Sequence, residues 1–228
     1  MQNQVYKGSG VNLDAAKDAK QRIFRRARAT FTEGVMGDIG SFGALFKPPT
    51  MKDPVLVSHI DNVGTKLKVA ALLNKYDTVG EDLVNHCVND ILTCGAKPLF
   101  FLDYIGSNHM DPDRVESIID GIARACESLS CALVGGETAE LPGLYQSYGV
   151  DLVGFVVGVT ERANLVTGRD ISPGDVILGL PSSGLHTNGY SLVRKVFQID
   201  DDPEVLNRHE PSLAMTLGEA LLIPHRSY

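Results

Sequence analysis

The 228-residue chain carries 43% hydrophobic and 21% charged residues, the balance of a globular protein long enough for one full domain and part of another. Its formal charge of −7 and pI near 5.3 argue against a protein that coats a phosphate backbone with Lys and Arg; nucleic acid is not an expected partner, whereas small phosphorylated ligands stay open. Residues 1–11 hold no basic start followed by an apolar run, and no stretch approaches about 18 continuous apolar residues, so neither secretion nor membrane insertion is expected. The four cysteines, Cys87, Cys94, Cys126 and Cys131, form no C-x-x-C pair and read as reduced thiols in packing roles, which favours the cytoplasm.

In chain order, residues 1–50 are polar and glycine-punctuated: a basic helical stretch near Asp14 to Arg28, then Gly34, Gly37, Gly40 and Gly43 three apart. They read as an arm and a flexible loop. Val55 to Val57 open a buried strand that runs into Asp61, and Gly64 turns the chain into a helix over Thr65 to Leu73. Over Thr78 to Cys94, Val84, Cys87, Val88 and Ile91 form the apolar stripe of a helix on a sheet, with Asp82, Asn85, His86, Asn89 and Asp90 on its polar face. A strand over Leu99 to Ile105 precedes a second amphipathic helix from about Asp111 to Ser130, with Asp111 as N-cap and Pro112 at the first helical position. Ala132 to Val134 form a strand that breaks at Gly135-Gly136, and Val150 to Thr160 form another. This order predicts an α+β or split β-α-β arrangement for residues 51–165. After a linker near Arg162 to Asp170, residues 166–228 start a second domain: a strand over Val176 to Leu180, a helix at about Gly189 to Phe197 and a polar tail. About 60 residues make a marginal core.

Three acidic or amide-rich points recur at strand ends or on the polar side of a helix: Asp61-Asn62, Asn89-Asp90 and Glu137. Oxygen ligands gathered from separate elements suit Mg²⁺, which binds together with substrate phosphates; equally, Asp61 caps a turn and Asn89-Asp90 is a solvated helix face. Gly64-Thr65-Lys66 lacks the full G-x-x-x-x-G-K-[ST] pattern. It is either a place where backbone N–H groups and the Lys66 charge meet a phosphate or a tight turn with a surface lysine. His186, in the small-residue loop Ser182 to Gly189, stands either among donors converging on an anion or in a capped loop. Neither a Ser-His-Asp order nor zinc spacing is legible.

The segments 60–69 (IDNVGTKLKV), 87–91 (CVNDI), 95–105 (GAKPLFFLDYI), 134–144 (VGGETAELPGL) and 182–195 (SSGLHTNGYSLVRK) together resemble the phosphoribosylformylglycinamidine cyclo-ligase family, in order from about Tyr6 to the last residue. The resemblance implies an α/β (α+β) fold: an N-terminal mixed sheet with amphipathic helices, joined across a homodimer into a barrel, followed by a C-terminal α/β domain. It implies ATP and Mg²⁺ as cofactors and a phosphorylated ribonucleotide as substrate. ATP would activate the formamide oxygen of formylglycinamidine ribonucleotide and an internal nitrogen would attack, giving aminoimidazole ribonucleotide, ADP and phosphate; positioning and charge neutralisation dominate such chemistry. By motif position, Asp61, Asp90 and His186 take catalytic roles, with Asp61, Asp90 and Glu137 on the metal. Gly64, Thr65, Lys66, Asn89, Glu137 and Asn188 bind nucleotide or substrate, Lys66 as a phosphate-side cation.

Two departures stand out. Where many members of that family read Ser-Gly-Thr-Asp-Gly-Val-Gly-Thr, this chain has Ser58-His59-Ile60-Asp61-Asn62-Val63-Gly64-Thr65. Members also continue for on the order of a hundred residues past this point, so the second domain is expected to be incomplete. A small-molecule kinase of the same superfamily and a non-catalytic dimeric scaffold are the competing readings.

Overall fold

The computed structural model describes residues 12–40, 42–145 and 149–228; the start of the expected arm, residues 1–11, lies outside them. Helix α1 (Leu13–Ala29) begins at Asn12, whose side chain accepts from Ala15 N and whose own N–H donates to Glu140. The basic stretch has an acidic partner. Arg22 pairs with Asp113 at 2.7 Å and Glu116 at 2.6 Å, and Arg26 with Asp120 at 2.5 Å, all on helix α4 (Pro112–Ser128). The arm is therefore docked, and within the glycine-punctuated loop β1 (Val35–Met36) pairs antiparallel with β2 (Leu45–Phe46).

The main sheet contains β3 (Pro54–Asn62), β4 (Lys97–Ser107), β5 (Ala132–Glu140) and β6 (Val150–Glu161) in the order β3-β6-β4-β5. β6 runs antiparallel to both β3 and β4, and β4 runs parallel to β5. β3 and β4 therefore point the same way with β6 between them, a split β-α-β unit. The expected break at Gly135-Gly136 is absent: β5 continues through Glu140. These glycines serve close approach instead, since a Cβ on Gly136 would lie 2.4 Å from Asp103 Oδ1.

Helices α2 (Lys66–Leu73), α3 (Asp77–Leu92) and α4 accompany the sheet. Asp111 caps α4 by accepting from Asp113 N and Arg114 N, with Pro112 at its start. Val79, Leu83, Val84, Cys87 and Ile91 of α3 and Ile118, Ile119, Ile122 and Cys126 of α4 are buried against Phe101, Ile105, Leu152 and Val156. The cysteines are free, three of them buried and Cys94 half-buried. The other sheet face carries no helix among the described residues. Leu56 and Ile60 stand exposed there, and the register sets Phe155 beside Ile60 and Leu102, and Val157 beside Phe100.

The expected strand over Val176 to Leu180 does not form. Ile177 is 96% exposed, and no described strand pairs with this run, so its backbone groups have no ladder to join. Helix α5 (Tyr190–Val196), strands β7 (His209–Glu210) and β8 (Met215–Thr216) and helix α6 (Leu217–Leu221) follow. The tail is not uniformly polar: Ile199, Leu206, Leu217, Leu221 and Leu222 are buried and belong to the same core cluster as the sheet. No described helix is long and apolar enough to cross a membrane.

Candidate functional site

Alternation along β3 places His59 and Asp61 on one face of the strand, and one helical turn places His86 and Asp90 on one face of α3. The two pairs meet. His59 Nε2 lies 2.8 Å from Asp90 Oδ2 and 3.5 Å from Asp61 Oδ2. His86 Nε2 lies 3.2 Å from Asp61 Oδ2 and 3.9 Å from Asp90 Oδ2. Thr187 Oγ1 sits 3.0 Å from the other ring nitrogen of His86 and orients it.

Glu137 is not part of this group. Register places Gly136, not Glu137, in the row of Asp61, Gly154 and Asp103, so Glu137 falls on the alternate face three strand spacings away, roughly 14 Å. It lines a second place instead, a cavity of about 560 Å³ between β5, α1 and the glycine-punctuated loop, shared with Lys20, Phe24, Gly40, Phe42 and Asp103. The Asp103 carboxyl is buried, and desolvation pushes it up to about 7 against a hydrogen bond from its own backbone.

Lys66 departs from the expected solvent-facing phosphate cation. Its side chain is fully buried, and its ammonium donates to Asp82 Oδ1 at 2.8 Å, Ile223 O at 2.8 Å and His186 O at 3.2 Å. All three of its N–H groups are used inside the protein. Burial lowers the Lys66 ammonium and raises the Asp82 carboxyl, the latter to about 6, with their mutual attraction working the other way. Gly64, with φ +68°, makes the turn into α2, and Thr65 Oγ1 lies 3.2 Å from Ser191 Oγ.

Asn89 holds the last residues in place: its amide donates to Arg226 O at 2.8 Å and its carbonyl accepts from Tyr228 N at 3.0 Å. His186, in left-handed conformation at φ +59°, stacks on His225 with centroids 4.1 Å apart. Burial holds His225 down at about 4, with His186, His86 and Lys66 adding to the effect. Asn188 is exposed beside this loop. The fold thus unites Asp61 with Asp90 and brings Asn89, His186 and Lys66 to the adjoining junction, leaving Glu137 elsewhere. His59, His86 and Asp82 were not picked out as functional from the sequence; the i, i+2 spacing of His59 with Asp61 and the i, i+4 spacing of His86 with Asp90 are signals that carry two of them.

The chain is 49% identical over its whole length to a phosphoribosylformylglycinamidine cyclo-ligase from Alkaliphilus metalliredigens. It is 53% identical over 98% of its length to one from Caldicellulosiruptor bescii and 48% over 99% to one from Shouchella clausii. It spans 66% of the length of each of these curated relatives. In fold it is similar to the hydrogenase maturation protein HypE, with a TM-score of 0.54 at 15% identity, over 86% of this chain and 56% of that one. A structure of HypE in complex with ATP gives 0.51 at 17% identity, over 72% and 46%. Thiamine-monophosphate kinase from Stenotrophomonas maltophilia gives 0.50 at 20% identity, over 63% and 43%. The N-terminal-domain model of AIR synthase related proteins matches residues 43–160 and the C-terminal-domain model residues 172–227, and the chain belongs to the AIR synthase related protein family.

Proposed function

We propose that this chain supplies the ATP-handling part of a cyclo-ligase that converts formylglycinamidine ribonucleotide to aminoimidazole ribonucleotide, with release of ADP and phosphate. The observation that carries the reading is 48–53% identity to three cyclo-ligases across 98–100% of the chain. In this reading the γ-phosphoryl group of ATP passes to the formamide oxygen of the substrate and ADP departs. The internal nitrogen then attacks the activated carbon, closing the ring as phosphate leaves. The protein's task is to hold the reacting atoms together and spread the phosphoryl charge.

The cavity under the glycine-punctuated loop is the place we assign to the nucleotide. Its volume falls within the ordinary range for ligand sites, and it offers Lys20 as a cation and Glu137 as an acid. ATP carries Mg²⁺ on its own phosphates, and Glu137 is the one of the three acids expected for that ion that lines this cavity. Asp61 and Asp90 sit beside two imidazoles, a donor set unlike the all-oxygen shell Mg²⁺ prefers. The loop carrying His186 and Asn188 is assigned to the ribonucleotide. A second copy would cover the bare sheet face, giving the homodimeric barrel, and residues 166–228 would open a second domain.

The test is ADP release by the purified chain with formylglycinamidine ribonucleotide, ATP and Mg²⁺, beside a protein of the relatives' full length. Formation of the aminoimidazole product by the longer protein supports the assignment; absence of substrate-dependent ATP consumption by both overturns it.

A further inference from the structure

We propose that a one-way chain of hydrogen bonds, from Asn89 through His225 and Thr187 to His86, fixes the His86 ring with its Nε2–H aimed at Asp61, so that His225 and Thr187 are positioning residues for that carboxylate. The steps measure 3.1 Å from Asn89 Nδ2 to His225 Nε2 and 3.4 Å from His225 Nδ1 to Thr187 Oγ1. They continue at 3.0 Å from Thr187 Oγ1 to His86 Nδ1 and 3.2 Å from His86 Nε2 to Asp61 Oδ2. Each member of the chain has a donor facing an acceptor in one direction only, and backbone groups set that direction.

The Asn89 amide lies between Tyr228 N, a donor 3.0 Å from its Oδ1, and Arg226 O, an acceptor 2.8 Å from its Nδ2. Exchanging the two amide atoms would set donor against donor and acceptor against acceptor, so the orientation of Asn89 follows from its neighbours. Its second amide hydrogen then meets His225 Nε2, which accepts. A neutral imidazole that accepts at one nitrogen donates from the other, so His225 carries its proton on Nδ1 and gives a hydrogen bond to Thr187 Oγ1. Burial, which holds His225 down at about 4, keeps that ring neutral at neutral pH. The one hydroxyl hydrogen of Thr187 is thereby left for His86 Nδ1. His86 Nδ1 accepts and carries no proton; the ring's proton sits on Nε2, facing Asp61. The reverse direction would need an N–H on His225 Nε2, pointing at the Asn89 NH₂ group.

Both ends of the chain are anchored. His225 N donates to Asp82 Oδ1 and its carbonyl accepts from Asn85 Nδ2, each at 2.7 Å, and His186 stacks on its ring. Asp82, Asn85 and Asn89 stand at i, i+3 and i+7 on one face of α3, which serves as a cradle for residues 225–228 rather than as a solvated surface. At the other end Asp61 Oδ1 accepts from Asn62 N at 2.7 Å. With His86 on Oδ2, both oxygens of the carboxylate are engaged and its plane is held. The consequence for turnover rests on the catalytic role given to Asp61 above; the ring tautomers do not, and they are measured without nucleotide or ribonucleotide.

The chain labelled with ¹⁵N in its histidine rings is studied by long-range ¹H–¹⁵N correlation at neutral pH, where protonated and unprotonated ring nitrogens resonate far apart. His86→Gln and His225→Gln each remove one ring and so assign the signals. The expected result is Nδ1–H for His225 and Nε2–H for His86. Thr187→Val should leave His225 in that form and move the His86 Nδ1 signal to the position of a ring nitrogen without a donor; Thr187→Ser should bring it back. Asn89→Asp, which only accepts at neutral pH, should turn His225 to its Nε2–H form. In a protein of the relatives' full length, Thr187→Val should lower kcat about 10-fold, the size of one lost hydrogen bond to a charged group, with Thr187→Ser restoring it. An Nε2–H on His225, a proton on His86 Nδ1, or undiminished kcat in Thr187→Val would overturn the proposal. The expected tautomers in a protein without cyclo-ligase turnover would uphold the chain of hydrogen bonds and remove only the reading of the reaction.

Discussion

Asp103 shows how a single residue in the middle of the sheet sets a pH dependence for the whole fold. Its carboxyl is buried, and desolvation raises it from 3.8 to about 7, while in the unfolded chain it titrates near the ordinary value. Below about pH 4 both states hold the proton and the group costs nothing. Between there and about pH 7 the unfolded state releases the proton and the folded state keeps it, so stability falls as pH rises; above pH 7 the penalty is constant, roughly 4 kcal/mol as an upper figure. Asp103→Asn removes the ionisation. The stability difference between variant and wild type, from urea denaturation, should grow in the variant's favour from pH 4 to pH 7 and then level off; a difference flat across this range would refute the account. Such a burial is not legible in the sequence, where Asp103 reads as one polar residue in an apolar run. Lys66 is the same kind of case: a lysine after a glycine turn looks solvent-exposed, and only the tertiary fold brings Asp82 and two carbonyls around it. His59 and Asp61, by contrast, were within reach of simple alternation.

At the scale of elements, the crossing of α3 and α4 depends on two glycines. A Cβ on Gly80 would lie 2.1 Å from Ile118 O, and one on Gly121 would lie 2.1 Å from Asp77 O. Because each obstacle is backbone, no rotamer change relieves it and the helices must move apart. Gly121→Ala is expected to destabilise by about 2 kcal/mol or more, despite the better helix propensity of alanine; a melting temperature equal to or above wild type would contradict this. The helices themselves were legible from apolar periodicity, with α4 bounded within two residues of the expectation and its Asp111 cap identified. Periodicity did not show how closely they cross. The strand expected at Val176 to Leu180 fails for the complementary reason: its residues have the right propensity, but strand formation requires a neighbour, and local sequence does not contain one.

For the whole molecule, the bare sheet face is an apolar surface without a helix over it among the described residues. Leu56 and Ile60 are 65% and 62% exposed beside the Phe155 and Val157 positions of β6, the kind of contiguous apolar face that soluble monomers avoid. If a second copy covers it, Ile60→Asp should shift the sedimentation coefficient from dimer to monomer with helix content retained; a wild-type protein that already sediments as a monomer at tens of micromolar would refute this. Fold class and the split β-α-β order were readable from the alternation of strand and helix patterns. That the residues after 165 would join the same core was not, because burial of Leu217 and Leu222 depends on contacts with distant segments.

The pairing of Lys66 with Ile223 and of Asp82 with His225 also has a consequence during synthesis. Asp82 accepts from His225 N at 2.7 Å, and the two residues stand 143 positions apart. A ribosome adding about 5–20 residues per second therefore leaves Lys66, at the start of α2, and Asp82, within α3, without those partners for many seconds after they emerge. Over that interval the Lys66–Asp82 pair lacks two of its buried hydrogen bonds, and its closure is timed by the arrival of residues 223–225 rather than by the folding of the sheet.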